Sequence, residues 1–88
     1  MTTQDSALTF PCDFPIKVMG PANDAFETEV RAIINRHASE TEQLDITTRL
    51  SKGGKYRSIT IQLRANSRQQ LDAIYQDLTA CEQVLMAL

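Results

Sequence analysis

Just past the middle of the chain, the run YRSITIQLRA at 56–65 sets Ile59, Ile61, Leu63 and Ala65 in alternation with Ser58, Thr60, Gln62 and Arg64. Successive side chains of a strand point to opposite faces, so this run has one apolar face and one polar face. Such a strand belongs to an antiparallel sheet covered on one side. The same period recurs in FPIKVMG, where Ile16 and Val18 alternate with Lys17 and Met19. Pro15, which has no N–H for a ladder, is expected to open that strand. In LDITTRLS, Leu44, Ile46 and Leu50 are expected on one face and Asp45, Thr47 and Arg49 on the other. The closing VLMAL is expected to form a fourth strand with Val84, Met86 and Leu88 facing inward.

Helical spacing fills the gaps between these runs. Phe26, Val30, Ile33 and His37 fall on one face of a helix, and Ala25 and Ile34 widen its apolar stripe. This helix is expected to start at Asn23 or Asp24, because Asp24 and Glu27 have the spacing of a reciprocal cap, and to fray near Ala38 to Glu40. Ser67 and Gln70 repeat the capping spacing ahead of a second stripe, Leu71, Ile74, Tyr75 and Leu78. The order is β-α-β-β-α-β. Right-handed crossovers turn that order into an α+β, ferredoxin-like sandwich. Strands one and three are central in its four-stranded antiparallel sheet, and both helices lie on one face.

At 88 residues the chain has material for one core. It reads as a single domain at 10–88 behind a flexible N-terminal arm at 1–9. A formal charge of −2 gives no global field for a nucleic-acid backbone. No apolar run approaches the roughly 18 residues of a membrane span, so no membrane partner is expected. MTTQDSALTF has neither the basic start nor the apolar centre of an export signal, which points to the cytoplasm and to free thiols at Cys12 and Cys81.

The stretch SKGGKYRSI at 51–59 is the one that looks most like a ligand loop. A phosphate-binding P-loop needs spaced glycines between a strand and a helix. Here Gly53 and Gly54 are adjacent and lie between two strands. An RNA-binding platform needs aromatic side chains on the third strand, and Tyr56 alone supplies one. A hairpin turn accounts for the stretch: Gly53 and Gly54 are expected to take positive φ, and Lys52 and Lys55 keep the tip solvated.

Catalytic and metal constellations are missing from the pattern. His37, the single histidine, sits on the apolar stripe near a helix end, a position for a packed or dipole-stabilised ring. No nucleophile stands at a recognisable spacing from it, and one histidine with two distant cysteines makes no metal set. Neither catalytic residues nor a metal or other cofactor are implied.

Two surfaces remain as candidates for binding. At the junction of strand one and helix one, Gly20 would let a ligand approach and Asn23 could hydrogen-bond it, although Asp24 repels an anion there. The start of helix two, with Ser67 and Arg68, suits an anion better. By parity the open face of the sheet carries Lys17, Met19, Tyr56, Ser58, Thr60 and Leu85. Met19, Tyr56 and Leu85 are the candidate interface with a protein partner or a second copy, unless Phe10 of the arm covers part of them.

FPCDFPIKVMG and SKGGKYRSITI together resemble the YbeD-like family of small bacterial proteins, from about Phe10 to Leu88. The spacing of Arg36-His37, the LDAIYQDL helix and the final VLMAL agree. The resemblance implies a ferredoxin-like fold similar to ACT regulatory domains, which bind small effectors, often at dimer interfaces. It also carries an association with lipoate. Leu85 departs from the pattern, since such proteins often have a basic residue there. The reading that follows is a non-catalytic regulatory module. Its candidate ligand contacts are Lys17, Met19, Gly20, Asn23, Tyr56 and Ser58, its effector lipoate or another carboxylate. The alternative is an interaction module that dimerises by its edge strand or open face.

Overall fold

A computed structural model describes residues 8–88 of the chain. The N-terminal arm expected at 1–9 lies, up to residue 7, outside the described residues. Alternation governs the sheet. β1 (Cys12–Pro21) and β3 (Tyr56–Ala65) run antiparallel along their full lengths, with Cys12 opposite Ala65 and Pro21 opposite Tyr56. β2 (Gln43–Leu50) flanks β3, and β4 (Met86–Ala87) flanks β1, in the order β2-β3-β1-β4. Helices α1 (Asp24–His37) and α2 (Arg68–Ala80) cover one face. Ile16, Val18, Ile59, Ile61 and Leu63 from the strands meet Phe26, Val30, Ile34, Ile74 and Leu78 from the helices, all fully buried. Each such side chain contributes about 1.5–3 kcal/mol. Among the described residues no polar or charged residue is buried. Phe10 packs against this core.

Several details differ from the sequence expectation, each for a local reason. Pro15 lies inside β1, not at its start. The main-chain groups of Lys17 and Met19 face β4: Lys17 exchanges both bonds with Leu88, and the Leu85 N–H donates to the Met19 carbonyl. Residue 15 therefore also turns its nitrogen to that side. The pairing on that side reaches no further along β1 than Lys17, so no ladder bond is asked of Pro15. In β2, a bulge between Gln43 and Asp45 takes Leu44 out of the alternation and leaves it exposed. Gln43 occupies the place opposite Leu63 and donates to Asn35 Oδ1 and the Ala38 carbonyl. Leu50 keeps the expected parity, opposite Arg57, yet is 56% exposed.

The helix ends show what the capping residues select. Asn23 is the cap of α1, accepting from the Phe26 N–H at 2.7 Å. With the cap at Asn23, Glu27 falls one place too late for reciprocity and instead receives Arg57 and Arg31, each at 3.0 Å. Ala25 is exposed, so the stripe is narrower than expected. The helix ends at His37, beside the stretch where its end is expected. Ala38 donates to the Ile34 carbonyl, and one 3₁₀ turn follows at Glu40–Glu42. Ser67 caps α2 as expected, accepting from Gln70 N–H at 3.0 Å, while Gln70 Oε1 accepts from Asn66 N–H.

β4 departs most. Ala87 is opposite Val18 and packs against the core, whereas Met86 is opposite Met19, on the other face, and half exposed. The inward set expected of Val84, Met86 and Leu88 is reduced to Val84 and Ala87. A turn at 82–83 precedes a strand only two residues long, and both Leu85 and Met86 engage Met19, which breaks the two-residue parity.

The hairpin between β2 and β3 is a turn, closed by Ser51 N–H to the Tyr56 carbonyl and Gly54 N–H to the Ser51 carbonyl. Only Gly54 has positive φ, +74°; Gly53 does not. Gly20 has a different task. A Cβ there would sit 2.4 Å from the Phe26 ring and 2.7 Å from the Gln83 carbonyl. Gly20→Ala should therefore cost about 1–3 kcal/mol by overpacking and Gly54→Ala about 1–2 kcal/mol by its left-handed backbone. Gly53→Ala should stay within about 0.5 kcal/mol of wild type. Urea unfolding of the three variants reads these directly.

Candidate functional site

Antiparallel register sorts the uncovered face into rows. One row crosses the sheet as Thr47, Thr60 and Lys17; the next as Arg49, Ser58, Met19 and Met86. A third places Tyr56 opposite Pro21. Two strand spacings of about 4.8 Å and a two-residue offset put Lys17 and Arg49 roughly 12 Å from each other on this face, with hydroxyls between them. A depression of about 400 Å³ lies there, lined by Lys17, Thr47, Thr48, Arg49, Ser58 and Thr60. Lys17 and Arg49 are exposed, and neither side chain forms an ion pair or hydrogen bond with a described residue. Their neighbour Arg64 is paired with Asp13, and Arg57 with Glu27. Two cations with no counter-charge among the described residues thus stand over a floor of hydroxyl groups.

The structure brings Lys17, Met19, Tyr56 and Ser58 together on this face. It does not bring Gly20 or Asn23 to them. Gly20 points to the helix side, where Phe26 and Gln83 occupy the space a ligand would need. Asn23 spends its side-chain oxygen on the helix cap. Leu85 lies just before β4 and is exposed, while the register position beside Met19 belongs to Met86. At the start of α2, the Ser67 hydroxyl is likewise taken by the cap, and Arg68 pairs with Asp72 at 3.5 Å. Arg49 and Thr47 complete the depression without having been candidates. Their signal was on the polar face of LDITTRLS, but only the β2–β3 register shows that they converge on Lys17. A larger hollow of about 490 Å³ beside α2 is lined by Asp72, Tyr75, Gln76, Thr79 and Ala80, so among the described residues no second element brings a converging group.

The sequence matches, over residues 5–88, the family described as protein of unknown function (DUF493). A UPF0250 protein from Neisseria gonorrhoeae (strain ATCC 700825 / FA 1090) is 42% identical over 91 residues, covering all of both chains. The chain belongs to the DUF493 family. This is the YbeD-like family that its sequence resembles. In fold it is similar to the solution structure of protein HP0495 from H. pylori, with a TM-score of 0.69 and 14% identity over 92% of this chain and 85% of that one. The C-terminal domain of MgtC from Mycobacterium tuberculosis gives 0.68 at 17% identity, covering 92% and 88%.

Among the described residues of this DUF493 chain, no group of three or more His, Cys, Asp or Glu residues is placed to hold a metal ion. No described helix is long and apolar enough to cross a membrane. Cys12 and Cys81 are free thiols. His37 works as a structural clasp: its Nε2 is 2.6 Å from Asp77 Oδ2, and Arg36 donates to the same oxygen at 3.1 Å, tying the end of α1 to α2. Gln70 adds a bond to the His37 carbonyl. The hydrogen bond from His37, aided by Arg36 and partly opposed by desolvation, holds the Asp77 carboxyl below the ordinary aspartate range. A carboxyl depressed on folding stabilises fully above that range, and the contribution is lost as pH falls through the depressed value. Asp77→Asn should thus melt below wild type at neutral pH. The two melting curves should converge in acid, where wild-type Asp77 is itself protonated; thermal melts across pH follow this.

Proposed function

We propose that this DUF493 domain, residues 10–88 behind the arm at 1–9, is a non-catalytic cytoplasmic regulatory module that binds a small carboxylate on its open sheet face. The lipoate associated with the family is one such carboxylate. The observation that carries the reading is a pair of cations without counter-charge among the described residues, Lys17 and Arg49, on either side of a depression with the volume of a small-metabolite site. Ser58, Thr60 and Thr47 add donors and acceptors, so a carboxylate there receives charge-assisted hydrogen bonds. Because the face is open to solvent, the attraction is screened by salt.

A thermal-shift series with carboxylates tests this. At ten times its dissociation constant, a ligand that binds only the folded chain stabilises it by about 1.4 kcal/mol, which raises Tm by roughly 6–11 °C for a domain of this size. The double variant Lys17→Ala/Arg49→Ala should lose the rise. Absence of a rise with every acid overturns the reading.

A second reading, self-association, rests on the edge formed by β4. Leu85, Met86 and Leu88 are 61%, 50% and 65% exposed, beside Met19 at 37%. Sedimentation equilibrium should then give a dimer that Met86→Lys dissociates. A monomeric wild type removes this reading.

A further inference from the structure

We infer that the ligand of the open face is amphipathic, an unbranched monocarboxylic acid whose apolar chain lies along β3 toward Tyr56; this rests on the carboxylate-binding reading above. A second depression, of about 200 Å³, adjoins the cationic one. Met19, Leu50 and Tyr56 contribute its apolar lining, and each is more than a third exposed. Arg49 and Ser58 line both depressions and are opposite each other across β2 and β3. The two are therefore one trough. It runs from the Thr60 row to the Tyr56 row, four residues of β3 and so roughly 13 Å.

One end of this trough is cationic and rich in hydroxyls; the other is apolar. Arg49 stands at the junction, where its alkyl stem can border the chain while its guanidinium meets the acid. A fully polar anion would leave Met19, Leu50 and Tyr56 in water. A purely apolar molecule would leave Lys17 and Arg49 unmatched. Only a ligand with both parts matches the whole surface. At about 30 Å³ for a water-sized group, the apolar end takes roughly six methylenes.

Titration of ¹⁵N-labelled protein with acetate, butanoate, hexanoate and octanoate, followed by amide shifts, tests the length dependence. Half-burial of each methylene should tighten Kd by roughly twofold, levelling off beyond about six. Lys17→Ala should weaken all the acids by one common factor. Tyr56→Ala with Met19→Gln should flatten the length dependence and leave acetate unchanged. Equal Kd values for acetate and octanoate overturn the amphipathic trough but leave carboxylate binding intact. Binding by 1-hexanol as tight as hexanoate overturns the role of the cationic end. If none of the acids binds, this inference and the function proposed above fall together.

Discussion

One-sided burial is the constraint from which the rest of this molecule follows. β1 and β3 each offer a single apolar face, and the stripes of α1 and α2 are together enough to cover it. Among the described residues no third layer lies on the other side. The reverse of the sheet is consequently a surface by necessity, and its side chains are free of core-packing demands. That freedom lets Lys17 and Arg49 stand without counter-charges among the described residues, whose buried positions are all apolar.

The helix layer is tied down at both ends by groups that keep the sheet's geometry in register. At one end, Gly20 admits the Phe26 ring against the backbone of β1, and Arg57 reaches from β3 to Glu27 in the first turn of α1. At the other, His37 and Arg36 share Asp77 of α2. These contacts involve the covered side. Their effect on the open side is indirect: they hold β1 and β3 in the pairing that sets Lys17 beside Thr60 and Met19 beside Ser58.

Much of this was legible in the residues. The alternation in YRSITIQLRA, the helical stripes and the cap at Ser67 are local signals, and local signals were enough for element order and sheet topology. What escaped depends on how elements meet. Leu44 was misplaced because one extra residue in a bulge cancels parity. Met86 was misplaced because a two-residue strand is too short for its period to be read. Gly20 looked like room for a ligand until the Phe26 ring was seen in that room. Arg49 was assigned to the polar side of its strand, but its convergence with Lys17 spans three strands and has no trace in either segment alone.

The place of Pro15 bears on how this sheet behaves in a crowded solution. Sheets grow at their margins by donating and accepting main-chain bonds, and a margin that cannot donate does not template a newcomer. Along the flank of β1, the imide nitrogen withholds a donor just where β4 stops pairing, and on the opposite margin the kink at Leu44 disturbs the ladder of β2. At both of these points the ladder is locally unfavourable to an added strand. The sheet's margins thus differ from its centre in backbone chemistry as well as in side chains.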